Sequence, residues 1–193
     1  TLMRIITLDL ETRNFFQDTG SNEPASLDIS VVCIHDSLTD SYASFIESDL
    51  KGLWPILESA GGIVTWNGEH FDIPILNKYY SGDLTKIKSI DLMKEVQTML
   101  GRRLKLDSVA AATLGTSKSG NGMEAVEWWR KGEIDKLIAY CTDDVRITKE
   151  LYEYALKNGH LRYKDAGSIK KIALNTMPWR TPLENAMTFT LPF

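Results

Sequence analysis

Met3-Arg4-Ile5-Ile6-Thr7-Leu8-Asp9-Leu10-Glu11-Thr12 is the stretch on which the fold turns. Its Ile and Leu residues over Met3 to Leu10 read as a β-strand, and residues two apart on a strand point to the same side. Asp9 and Glu11 are therefore set side by side within an otherwise apolar segment. Carboxylates are costly to bury unless a cation or hydrogen-bond donors compensate. The pair alone is weak, because a D-x-E arises by chance roughly once in every one or two chains of this length.

Outward from this strand, Thr12 to Ser26 is polar, contains Gly20 and Pro24, and reads as a loop. Asp28 to His35 reads as a second strand, and Ser41 to Ile46 as a third reached by a meander. Leu50 to Ala60 has the helical spacing of Leu53, Ile56 and Leu57, stopped by Gly61-Gly62. Ile63 to Trp66 is a short strand, Asn67-Gly68 a turn, and about Phe71 to Tyr80 a helix with Pro74 tolerated early in it. Ile87 to Ile90 is a fifth strand. Helices follow over Leu92 to Leu100, Leu106 to Leu114, Ala125 to Lys131 and Ile134 to Leu156. This order predicts an α/β fold: a five-stranded mixed sheet, a three-strand meander then parallel strands, flanked by helices. His160 to Leu174 reads as a hairpin around Asp165-Ala166-Gly167, with an extended tail behind it. The expected organisation is one domain over 1–158, with 159–193 as its hairpin and tail extension.

The bulk numbers agree with one globular domain: 193 residues, 43% hydrophobic and 25% charged. No stretch reaches the roughly 18 apolar residues of a membrane helix. No basic-then-apolar leader points to secretion. Cys33 and Cys141 are too few for a disulfide framework and form no zinc-type pair, so two reduced thiols in a cytoplasmic protein are expected. Thr1 with Met3 close behind reads as a trimmed chain or a domain cut from a longer one. The net charge of −4 argues against a protein that coats nucleic acid non-specifically. That charge is uneven: residues 157–193 carry six Lys/Arg against two acids, a net of +4, leaving −8 on the rest.

Two further acidic elements follow. In Trp66-Asn67-Gly68-Glu69-His70-Phe71-Asp72, Asp72 stands at the start of a helix after a strand, where the helix dipole favours an anion. In Tyr140-Cys141-Thr142-Asp143-Asp144-Val145, Tyr140 and Asp144 are four positions apart and share a helical face. The apolar Leu137, Ile138, Val145 and Leu151 turn a face near this one inward.

Together these motifs resemble the DEDD superfamily of 3′→5′ exonucleases, which has a ribonuclease H-like fold. The wording Leu8-Asp9-Leu10-Glu11-Thr12, Trp66 to Pro74 and Tyr140 to Val145 is similar to the tyrosine-bearing branch, DEDDy. That branch includes the proofreading domains of family-B DNA polymerases and small stand-alone or helicase-linked nucleases. The likeness spans about Met3 to Leu156. The sister branch carries His five residues before the last Asp, where this chain has Ala139.

The resemblance implies two divalent ions, Mg²⁺ or Mn²⁺, held by Asp9, Glu11, Asp72 and Asp144, with Asp9 bridging both. It implies that Tyr140 orients the attacking water, helped by Glu11, and that nucleoside 5′-monophosphates leave single-stranded nucleic-acid 3′ ends, DNA ahead of RNA. By the same analogy Leu10, Thr12 and Phe71 flank the terminal base, and Asn67 fixes the turn or touches the scissile nucleotide. The basic Arg102, Arg103 and Lys105, with Lys118, are candidates for the substrate groove. Asp143, Glu69, His70, His35 and His160 are read as non-catalytic, and Trp54, Trp128 and Trp129 as core. Expected partners are nucleic acid and a larger replication, repair or helicase assembly. A catalytically silent binding module and a ribonuclease H-like endonuclease are the alternatives.

Overall fold

A computed structural model describes residues 3–116 and 122–181. Five strands, β1 (Ile5–Thr12), β2 (Ile29–Asp36), β3 (Ser41–Ile46), β4 (Gly62–Thr65) and β5 (Ser89–Asp91), form one sheet of order β3-β2-β1-β4-β5. β1 pairs antiparallel with β2, and β2 antiparallel with β3. β1–β4 and β4–β5 are parallel. This is the mixed sheet read from the order of elements, a meander continued by parallel strands.

Alternation along β1 divides its two faces. Ile6, Leu8 and Leu10 are buried in a cluster with Leu53, Leu57, Ile75 and Leu76. Each such side chain contributes about 1.5–3 kcal/mol when fully buried. The opposite face receives the long helix α7 (Ile134–Asn158), numbered after the six that precede it: α1 (Phe16–Thr19), α2 (Trp54–Glu58), α3 (Asp72–Asn77), α4 (Leu92–Leu100), α5 (Leu106–Leu114) and α6 (Gly122–Lys131). There Asp9 meets Cys141 of α7, whose Sγ donates to the Asp9 carbonyl oxygen at 3.4 Å. Helices thus cover both sides of the sheet. Among the described residues no helix is long and apolar enough to cross a membrane.

α4 and α5 have the bounds expected from their spacing. The helix expected over Leu50 to Ala60 is instead a 3₁₀ segment, Glu47–Gly52, followed by the short α2. Pro55 is the reason: it has no N–H to donate, so it is tolerated only in a first turn, and α2 starts there. The segment read as a loop, Thr12 to Ser26, contains α1 and a 3₁₀ turn at Pro24–Ser26. Asp18 closes the start of α1 by accepting the Phe15 N–H at 2.7 Å. α3 is shorter than expected, its last turn tightening into bonds from Lys78 N–H to Ile75 and Tyr79 N–H to Leu76.

The hairpin forms as β6 (His160–Asp165) and β7 (Ser168–Ala173), turning at Ala166 and Gly167, both at positive φ. Its Leu161, Tyr163 and Ile172 are buried in the cluster that holds Val64, Leu92, Val109 and Leu151.

Candidate active site

The carboxyl ends of the parallel strands β1, β4 and β5 are where α/β sheets place their sites. A cleft of about 510 Å³ opens there. β1 supplies Asp9, Leu10, Glu11 and Thr12 to its lining, and its pairing with β2 shifts register between Glu11 and Thr12. Such an irregularity re-aims side chains at a strand end. α7 supplies Tyr140 and Asp144, one helical turn apart. The turn after β4 supplies Trp66, Asn67 and Phe71, and Asp72 opens α3. Arg103 and Lys105 close the rim before α5.

Three carboxylates converge most closely. One oxygen each of Asp9, Glu11 and Asp144 lie within 4.8 Å of one another. Like charges so near each other repel, and an oxygen-only set of this kind suits a hard divalent cation rather than zinc. Asp72 stands outside this trio but lines the same cleft. It is only 3% exposed, and its Oδ1 accepts the Leu10 N–H at 3.1 Å. Burial pushes its carboxyl up to about 7 from an ordinary 3.8, with the charges of Asp91 and Asp144 adding to the rise.

Tyr140 is buried beside the ring of Trp128, which meets it edge-on at 5.5 Å between centroids. Cys141 behind Asp9 is fully buried, and burial raises its thiol well above the usual range, which makes it an inert packing residue.

The β4–α3 turn is tightly specified. Asn67 takes a left-handed φ of 69°, and its Oδ1 accepts a hydrogen bond from Arg103 Nη2 at 2.6 Å. Gly68 has no room for a side chain, since a Cβ there would lie 2.4 Å from Thr65 Oγ1. The residue that organises the turn is Asp91. Its carboxylate accepts the N–H groups of Asn67 at 2.8 Å and Glu69 at 3.1 Å, and it also caps α4 through Met93 and Lys94. Sequence reasoning missed Asp91, although an Asp directly before the first residue of a helix is an N-cap signal that could have found it.

Other candidates separate cleanly. Arg102 is not in the cleft lining and bonds Asp165 of the hairpin at 3.4 Å. Lys118 lies outside the described residues. Asp143 is engaged by Arg146 at 2.7 Å, and Glu69, exposed, pairs with Lys94. His35 bonds Asp40 and His160 packs against Tyr154. Trp54, Trp128 and Trp129 are half-buried.

Residues 7–156, which carry all but the first two residues of this sheet and every carboxylate of the cleft, match a family model described as the RNase_H superfamily. The chain belongs to the RNase H superfamily. Among solved structures this RNase H-superfamily chain is similar to the family B DNA polymerase from the hyperthermophilic archaeon Pyrobaculum calidifontis. The two share 20% identity and a TM-score of 0.62, over 81% of this chain and 25% of the polymerase. The chain therefore spans about a quarter of that protein's length, and the likeness is one of fold. A comparison with curated proteins finds no match.

Proposed function

We propose that the chain is a divalent-cation-dependent 3′→5′ exonuclease acting on single-stranded nucleic acid, DNA in preference to RNA. The observation that carries this reading is the convergence of Asp9, Glu11 and Asp144 within 4.8 Å, in a cleft shared with Asp72 and Tyr140. Asp9, Glu11, Asp72 and Asp144 would hold two Mg²⁺ or Mn²⁺ ions. Ions so held supply stabilisation of the attacking and leaving oxygens of an in-line displacement at phosphorus.

The remaining work falls to the chain's own groups. The Tyr140 hydroxyl and the Glu11 carboxylate orient the attacking water. Leu10, Thr12 and Phe71 form the apolar and hydroxyl-bearing wall against which the terminal nucleoside rests. Arg103, already fixed on Asn67, and Lys105 offer cations to the strand's phosphates. The oxygen–phosphorus bond to the penultimate nucleotide's 3′-oxygen breaks, and a nucleoside 5′-monophosphate leaves. DNA as the substrate and a replication, repair or helicase assembly as the setting are proposed from the likeness of the Asp9, Asp72 and Asp144 motifs to polymerase proofreading domains.

The test uses 5′-labelled single-stranded DNA and matching RNA with Mg²⁺, Mn²⁺ or EDTA. A ladder shortening from the 3′ end, absent in EDTA and in Asp9→Asn and strongly slowed in Tyr140→Phe, is the expected result. Internal cuts without a ladder would instead make this a ribonuclease H-like endonuclease, and no cleavage with any cation would make it a binding module.

A further inference from the structure

The basic hairpin plays no part in lining the cleft, yet its charge is arranged rather than scattered. In its register Arg162 lies opposite Lys171, and Lys164 opposite Ile169. Residues two apart on a strand share a face, so Arg162, Lys164 and Lys171 point the same way, with no acid among their cross-strand neighbours. Leu161, Tyr163 and Ile172 occupy the other face and are buried. Lys164, Lys171 and Ile169 are exposed.

Like charges directly opposite each other destabilise a strand pair. Several cations elsewhere on this acidic chain are neutralised. Arg13, Lys78, Arg130 and Arg146 each pair with a carboxylate, and Lys170 and Arg102 both reach Asp165 at the hairpin tip. Among the described residues Arg162, Lys164 and Lys171 form no ion pair, and Arg162 rests instead over the ring of Tyr154 at 5.8 Å. The hairpin's opposite face is tied to the loop that carries the cleft's cations. Arg102, which bonds Asp165 and lies over Tyr163 at 5.7 Å, belongs to the same loop as the cleft residues Arg103 and Lys105.

We infer that the outer face of β6–β7, through Arg162, Lys164 and Lys171, binds the phosphate backbone of the single strand whose end lies in the cleft. This rests on the nuclease reading. Its role is positional and independent of sequence, because the cations meet phosphates rather than base edges. A run of cations outside the cleft would give a chain of net charge −4 a place to retain a polyanion.

The experiment is equilibrium binding of labelled oligothymidylate of about 30 and about 5 nucleotides across a salt series, in an Asp9→Asn background that stops cleavage. For Arg162→Gln, Lys164→Gln and Lys171→Gln combined, affinity for the longer strand falls roughly 10-fold. The slope of log Kd against log salt flattens by roughly 2, at about 0.7 per lost phosphate contact. The short strand loses less. The charge-preserving combination Arg162→Lys, Lys164→Arg and Lys171→Arg keeps the slope, which separates lost charge from lost folding. An unchanged slope in the folded Gln variant would overturn the inference. An equal loss against poly-glutamate of matching charge would also overturn it, in favour of an acidic protein partner. Cleavage by the wild-type chain is scored alongside, so a failed nuclease reading shows as absent laddering and a failed hairpin site as an unchanged slope.

Discussion

The Asp72 carboxylate accepts the backbone N–H of Leu10 at 3.1 Å, across 62 residues of sequence. Leu10 stands between Asp9 and Glu11, so one hydrogen bond locks the start of α3 to the part of β1 that carries both acids. It also partly offsets the burial that holds the Asp72 carboxyl at about 7. Asp72 is thus a strained acid whose position is fixed before any ligand arrives.

That strain has a sign. Asp72 binds its proton more tightly folded than unfolded, so its contribution to stability is complete below about pH 4 and is lost as the pH rises to about 7. Asp91, raised by burial, acts in the same direction. Urea denaturation in EDTA should show Asp72→Asn gaining stability over the wild-type chain at pH 8 and no advantage at pH 4. The slope removed is up to about 1.4 kcal/mol per pH unit. Equal stability of the two proteins at pH 8 would contradict this.

Cation binding should appear as stability. Because Asp9, Glu11 and Asp144 repel one another, Mn²⁺ at about 100 times its Kd should raise the unfolding free energy by about 2.7 kcal/mol. In Asp9→Asn the metal-free protein should be as stable as wild type or more so, with most of the Mn²⁺ increment gone. A strongly destabilised Asp9→Asn in EDTA would identify Asp9 as a structural acid. Thermal melts with and without Mn²⁺ decide between them.

Asp91 should matter to the site without touching substrate. Asp91→Ala leaves the N–H groups of Asn67 and Glu69 and the first turn of α4 without their acceptor. The expected cost is about 2–3 kcal/mol in denaturant unfolding. Because Arg103 bonds the Asn67 side chain, KM for single-stranded DNA should rise more than kcat falls. Intact kinetics in a destabilised variant would leave Asp91 a purely structural residue.

Gly68→Ala tests the fit of the same turn from the other side. Its Cβ would meet Thr65 Oγ1 at 2.4 Å, forcing the turn or β4 to shift at a cost of about 1–3 kcal/mol. Urea denaturation measures it, and a neutral result would show that the turn moves freely.

The sequence by itself determined what depends on local periodicity. Strand alternation sets Asp9 beside Glu11, the four-residue spacing sets Tyr140 over Asp144, and the order of elements implies the mixed sheet. These are consequences of repeats of two and 3.6 residues, which any stretch of chain carries within itself. Tertiary structure alone decided the rest. It brought α7 onto β1 to converge three carboxylates, gave Asp91 the amides of a turn 22 and 24 residues away, and committed Arg102 to Asp165 rather than to the cleft. It also set Arg162 opposite Lys171, because which residues face each other across a hairpin depends on a register that no single strand contains.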